Sequence, residues 1–176
     1  MKFFKLTSIN TFLIFACSIF ISNAQESALK DHNVDNPVDI SADRLEVKQK
    51  ENIAFFTGNV VVTQSDMSLL SDRITVFYEE ERGENSTSSI SRLDASGNVT
   101  LTSPTETIRS TWGVYDFAER IITLGGKVEF NNAEGQLTSP RLQVNLSTGQ
   151  ITMDGERVEG EGSGRVSGQF TPPESE

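Results

Sequence analysis

The sequence predicts an all-β protein built from repeated short strands, and three observations support this prediction. Apolar and polar residues alternate with a period of two through most of residues 36–159, as in strands that bury one face. Two short motifs recur at matched intervals, which indicates an internal repeat. No stretch of residues 36–159 has the spacing of apolar residues that an amphipathic helix requires.

The first 24 residues have the layout of an export signal. Lys2 and Lys5 precede an apolar run at residues 11–21, and Ser22 and Ala24 place small residues before a cut after Ala24. The run is shorter than the roughly 20 residues that a membrane-spanning helix needs. We therefore expect a cleaved signal peptide. The alternatives are an uncleaved membrane anchor and acylation at Cys17.

The composition of the remaining chain narrows the classes of function. Removing two lysines and no acid changes the formal charge from −10 to −12, which disfavours a nucleic-acid partner. Cys17 leaves with the signal, and the single histidine, His32, lies in a polar segment where we expect it to be solvated. Neither a metal site nor a nucleophile motif is therefore predicted. We expect no cofactor and no enzyme activity.

A glycine-centred motif marks the repeat. Its glycines lie 39, 29 and 29 residues apart, at Gly58, Gly97, Gly126 and Gly155. A second motif begins strands 29, 39 and 29 residues apart, at Leu45, Ile74, Gly113 and Leu142. Both series lengthen by ten residues across the polar segment 79–89, which we interpret as an insertion. We predict that the glycines lie in hairpin turns, where a positive φ is needed.

The repeat also assigns the two faces of each strand. Apolar residues recur at equivalent positions in successive units, whereas the residues between them, such as Asp94 and Thr123, are polar. One apolar face is therefore predicted to run through all the repeats, and core packing is its default interpretation. In the last unit Arg157 and Glu159 replace the apolar pair, or the register slips by one and places Val158 there. Either arrangement indicates a terminal, opened or capping repeat.

The same patterns predict the boundaries of the segments. They are a signal peptide at 1–24, a flexible segment at 25–35, a β domain at 36–159 and a disordered tail at 160–176. The tail is predicted to be disordered because it is rich in Gly, Ser, Pro and Glu and has no core-forming pattern.

Three segments carry a resemblance to a known family. Residues 40–47 (ISADRLEV), 56–64 (FTGNVVVTQ) and 71–74 (SDRI) resemble the OstA-like family of lipopolysaccharide transport proteins. The likeness extends over roughly residues 36–158. It implies an open, V-shaped β-jelly roll of stacked antiparallel strands in the periplasm. It also implies that the acyl chains of lipid A lie between two β-sheets.

The resemblance further implies a carrier that passes lipopolysaccharide from the inner to the outer membrane. The expected partners are an LptC-like inner-membrane subunit at the N-terminal side, an LptD-like outer-membrane subunit at the C-terminal side and further copies joined head to tail. Strand addition at exposed sheet edges would make these joints, with residues 37–48 and 137–158 as candidate edges.

The family's N-terminal strand motif places Val38 and Ile40 at positions of lipid contact, and Leu101 lies near another such position. The full set of lipid-binding candidates combines these residues with the inward positions of the repeat. They are Val38, Ile40, Leu45, Val47, Phe56, Val60, Val62, Ile74, Val76, Leu93, Val99, Leu101, Tyr115, Phe117, Ile122, Leu124, Val128 and Phe130.

Three other classes of protein remain open at this point. One is an LptC-like membrane-anchored subunit, which would keep its N-terminal apolar segment. Another is a β-repeat adaptor with a fully packed interior and protein partners only. The third is a carbohydrate-active enzyme with paired carboxylates facing each other in a cleft.

Overall fold

A computed structural model describes residues 29, 32–80, 88–155 and 164–172. The predicted signal peptide, most of the predicted insertion and the predicted terminal pair Arg157 and Glu159 lie outside these residues. Ten strands account for most of the described chain, with a short 3-10 helix at Gln49–Glu51. The strands are β1 (Asp39–Ser41), β2 (Arg44–Lys48), β3 (Ile53–Gln64), β4 (Met67–Glu80), β5 (Ser88–Thr102), β6 (Thr107–Asp116), β7 (Ile121–Asn132), β8 (Gly135–Asn145), β9 (Gln150–Asp154) and β10 (Ser167–Phe170).

All ten strands belong to one open antiparallel sheet, so the predicted all-β fold class is confirmed. Strands β3 to β8 form a meander in which each strand pairs with the next. β1 and β2 both pair with β3, along different parts of its length. β9 and β10 share β8 in the same way. Each edge of the sheet is therefore made by two short strands instead of one long strand.

The long strands bend at the glycine-centred motifs. Gly58, Gly97 and Gly126 have φ of 82, 78 and 88° and lie within β3, β5 and β7, where the pairing register shifts. The prediction of hairpin turns at these three glycines is therefore wrong. A positive φ suits a β-bulge as well as a turn, and a bulge bends a strand without reversing it.

The row of bulges divides the sheet into two halves that face each other. Half A consists of residues 44–57, 73–80, 88–96, 112–125 and 141–154, and half B of 39–41, 60–71, 99–110, 128–139 and 167–170. Side chains from both halves line one cavity, and Tyr115 of half A donates a hydrogen bond to Gln64 of half B. A single folded sheet thus supplies the two facing layers.

Apolar residues form ladders across the inner face of each half. One ladder of half A runs directly across eight strands through Val47, Ala54, Val76, Leu93, Tyr115, Ile122, Val144 and Ile151. A ladder of half B runs through Ile40, Val62, Leu69, Leu101, Ile108, Phe130 and Leu137. Residues directly opposite each other in neighbouring strands share a face. The predicted continuous apolar face is confirmed.

Two segments differ from their expected lack of structure. Ser167–Phe170 pair with β8 as β10, within the tail that is predicted to be disordered. Leu29 and His32 are only 1% and 6% exposed, so the prediction that His32 is solvated is wrong. Both segments are short and mostly polar, so their structure depends on distant residues and not on a local pattern.

The bulge at Gly97 supplies a first testable prediction. A Cβ at this position would collide with the Asp72 carboxylate, which accepts a hydrogen bond from Asn98 at 2.8 Å. A positive φ also costs an L-residue roughly 1–2 kcal/mol. We expect Gly97→Ala to lower the free energy of unfolding by about 2–3 kcal/mol in urea titrations. Ser96→Ala, at an exposed neighbouring position, is the control, and an equal loss in both variants would contradict this role.

Candidate functional site

The structure places most of the predicted lipid-binding residues in the core between the two halves. The buried members are Val60, Val62, Ile74, Val76, Leu93, Val99, Leu101, Tyr115, Ile122, Leu124, Val128 and Phe130. Val38, Ile40, Phe56 and Phe117 are partly buried and pack against them. Leu45 and Val47 share the inner face by register but are each 54% exposed, because β2 is an edge strand.

Several inner-face residues are absent from the predicted set. Met67, Leu69 and Ile108 are buried and lie before the bulges of β4 and β6. The second repeat motif begins after those bulges, so it assigns only the later half of each of these strands. The signal that could have identified Met67 and Leu69 is the apolar–polar alternation of residues 67–69. It continues the pattern of β4 to the other side of the bulge.

A small apolar cavity lies between the halves. Its volume is about 20 Å³, and its lining includes Val62, Leu69, Leu101, Leu124 and Val38. This volume holds about one water molecule, whereas pockets for small molecules have roughly 300–1,000 Å³. The inner faces are therefore in close contact in this structure, and an acyl chain would fit only if the halves moved apart.

One polar cluster is buried at the end of this core. The Gln64 Oε1 atom accepts a hydrogen bond from the Tyr115 hydroxyl at 3.1 Å and lies 3.0 Å from His32 Nε2. Gln64 Nε2 donates to the carbonyl oxygens of Val34 and Asn36 at 2.9 and 2.8 Å. The amide thus uses both its donors and its acceptor, which offsets the cost of burying it. The cluster connects half A, half B and the segment preceding β1.

The Tyr115 hydroxyl is suited to remain a donor in this cluster. Burial raises the pKa of Tyr115 to about 12, since the ionised form loses its hydration. The ring also stacks on Phe117, with centroids 3.9 Å apart. Tyr115 therefore contributes a neutral hydroxyl to Gln64 and an apolar ring to the inner face.

The outer face carries charged pairs instead. Arg92 donates to Asp94 at 2.7 Å, and Lys127 lies 2.8 Å from Glu129. The guanidinium carbon of Arg73 stands 4.8 Å from the centre of the Phe55 ring. Exposed pairs of this kind contribute little to stability. The outer face is thus the hydrated side of the sheet, and the apolar surface is concentrated between the halves.

The two edges of the sheet are the remaining candidate sites. β1 and β2 form one edge, as the candidate range 37–48 predicts. The other edge consists of β9 and β10, so the candidate range 137–158 is wrong for residues 137–138, which β10 covers, and for residues 141–145, which β9 covers. Unpaired backbone groups at such edges can accept a further strand.

The described residues include no helix with the length and apolar character that crossing a membrane requires.

Comparisons with known proteins agree with this geometry. The family described as LptA/(LptD N-terminal domain) LPS transport protein matches residues 39–150. An uncharacterized protein of Rhizobium meliloti (strain 1021) is 32% identical over 123 residues, which cover 68% of this chain and 66% of that protein's length.

Two of the similar proteins have names that state a function. The lipopolysaccharide export system protein LptA of Haemophilus influenzae is 22% identical over 167 residues, which cover 91% of each chain. The crystal structure of LptH from Pseudomonas aeruginosa is described as the LptA homologous periplasmic component of the lipopolysaccharide transport device. It aligns with a TM-score of 0.66 and 15% identity, and covers 78% of this chain and 96% of that one. This last likeness establishes a shared fold.

Proposed function

Because this chain belongs to the LptA/(LptD N-terminal domain) family of LPS transport proteins, we propose that it is a periplasmic carrier that holds the acyl chains of lipid A between the halves of its folded sheet. The observation that carries this proposal is the continuous apolar inner face. It runs from Leu45 and Val47 at one edge to Ile151 and Met153 at the other. An acyl chain is held by contact with apolar area and needs few directional bonds. The inner face provides such an area without interruption.

The energetics favour holding the lipid reversibly. Burying one methylene is worth about 0.8 kcal/mol, so a chain of about a dozen carbons can gain on the order of 10 kcal/mol. The inner faces must separate to admit it, which removes contacts between the halves around the cavity that Leu101 and Leu124 line. The chain replaces those contacts. The net free energy of binding is then the difference between the gain from burying the chain and the cost of separating the halves. A small difference suits a carrier that must also release its cargo.

The two open edges support the proposal that the protein forms part of a bridge. An LptC-like subunit would add a strand at the β1–β2 edge, and an LptD-like subunit at the β9–β10 edge. Further copies would join head to tail in the same way. Leu45 and Val47 are exposed beside the unpaired edge of β2, so an added partner would cover them and extend the apolar inner face across the joint.

One observation favours a second candidate, an adaptor with protein partners only. The core is closely packed around a cavity of only about 20 Å³. A closed interior needs no lipid, and such an adaptor would use its edges alone. The two functions therefore differ in whether purified protein takes up lipid.

Titration of the exported protein with fluorescent lipopolysaccharide separates these functions. We expect saturable binding, because the acyl chains have a fixed apolar surface to occupy. Lipid A or dodecanoate should compete, since both present acyl carbon. The delipidated core oligosaccharide should not compete, because it offers no apolar chain. Competition by the oligosaccharide, or no saturable binding, would contradict the carrier function.

A further inference from the structure

The chain preceding β1 packs against the end of the core next to Gln64. Residue 29 and residues 32–38 are called the N-terminal latch here. Leu29 is 1% exposed and His32 is 6% exposed, so both are buried as deeply as the core residues of the sheet. Val34 packs against the core, and Val38 lines the cavity between the halves. The latch thus supplies apolar side chains to the space where the two inner faces meet.

The latch contacts both halves of the folded sheet. Its backbone carbonyls at Val34 and Asn36 accept hydrogen bonds from Gln64 of half B. Its Asn36 side chain donates a hydrogen bond of 2.7 Å to the hydroxyl of Ser65, which lies in the turn between β3 and β4. Its Asp35 lies 3.5 Å from Arg120, in the turn between β6 and β7 of half A. The latch therefore touches both halves at this end, and its stronger contacts are those to half B, since an exposed ion pair contributes little.

The contacts that fix the latch differ from those that fix the strands. β3 and β4, like β7 and β8, are joined by a backbone ladder of ten residue pairs, whereas one side chain, Gln64, provides two of the backbone contacts of the latch. Local opening takes place where few buried bonds must break together. Among the described residues of this core, the latch is therefore expected to leave without disrupting the pairing of the sheet.

We propose that the N-terminal latch is an internal ligand that fills one end of the apolar interior and must be displaced when an acyl chain enters there. This inference rests on the proposed carrier function. Leu29, Val34 and Val38 occupy the core with aliphatic carbon, the same chemistry that an acyl chain would bring. Once the latch leaves, the Gln64 amide can form hydrogen bonds with water or with the ester carbonyl of the incoming lipid.

A reversible disulfide tests the displacement directly. The Asn36 and Ser65 side chains touch each other, so Asn36→Cys with Ser65→Cys would tie the latch to the β3–β4 turn. Protein exported and cleaved after Ala24 has no other cysteine, because Cys17 is removed with the signal. The matched control is Thr138→Cys with Ser167→Cys, which would tie β10 to β8 where the two hydroxyls lie 2.6 Å apart.

The readout is binding of dodecanoate that carries an environment-sensitive fluorophore, before and after reduction of each disulfide. We expect the oxidised latch variant to bind about tenfold or more weakly than its reduced form, since the lock removes the open population that binds lipid. The control pair should bind equally in both forms. Mass measurement and thermal unfolding confirm that each disulfide has formed and that the sheet is folded.

The outcomes distinguish this inference from the function on which it rests. Equal binding by the oxidised and reduced latch variants would overturn the latch and leave the carrier function in place. Absence of binding by the unaltered protein and by both variants would overturn the carrier function and the latch together. Weaker binding by the oxidised forms of both variants alike would also overturn the latch, because the effect would not be specific to the N-terminal latch.

Discussion

Replacing Leu124 with aspartate is expected to prevent stable folding. Leu124 is 1% exposed, and its partners across the strands, Gly113 and Leu142, offer nothing that could pair with a carboxylate. Burying an unpaired charge, or protonating it at this site, costs on the order of 5 kcal/mol or more. That cost is comparable to the whole stability of a domain, roughly 5–15 kcal/mol. Circular dichroism and urea titration of Leu124→Asp measure the loss.

Thr123→Asp is the matched control for this substitution. Thr123 precedes Leu124 on the same strand but points to the outer face, opposite Val114 and Gln143. A carboxylate there stays hydrated, so the free energy of unfolding should change by about 1 kcal/mol or less. Equal stability of Leu124→Asp and Thr123→Asp would show that the interior is hydrated. The assignment of the two faces would then be wrong.

The inner face could be predicted because alternation is a local property of the sequence. Residues two apart on a strand share a face whatever their neighbours are. Leu93 and Leu101, for example, are assigned from their positions around Gly97, and both are buried. The repeat extends that assignment from one strand to the next, because equivalent positions in successive units have the same environment.

The folding of the sheet could not be predicted in the same way. Thr57 to Val60 contain two residues with positive φ, Gly58 and Asn59, and such a pair is compatible with both a hairpin turn and a bulge. The choice depends on whether the chain continues along the same partner strand. That partner is β4, whose pairing with β3 continues on both sides of the bulge.

The polar cluster and the N-terminal latch could not be predicted from the sequence either, for a related reason. His32 and Gln64 are 32 residues apart in the chain and meet only when the sheet has formed. Neither residue belongs to an apolar pattern, so each suggests a solvated position by itself. The exposure of Leu45 could not be predicted either, since alternation sets its face but does not place β2 at the edge of the sheet.

Site-specific photo-crosslinking in cells is expected to give the largest difference between an inner-face position and an outer-face position of the site. Leu101 is 2% exposed, faces inward in β5 and lines the cavity between the halves. Thr100 is its neighbour on the same strand and points to the outer face. A photo-activatable residue at position 101 would lie against an acyl chain held between the halves, whereas one at position 100 would lie in water. Thermal unfolding of both variants verifies that each is folded.

We expect the variant altered at Leu101 to form an adduct with lipopolysaccharide on illumination, and the variant altered at Thr100 to form none. This measurement reads the occupancy of the inner face without assuming an affinity or a partner. If folded protein forms no lipopolysaccharide adduct at position 101, or forms as much at position 100, the space between the halves is not where the lipid lies.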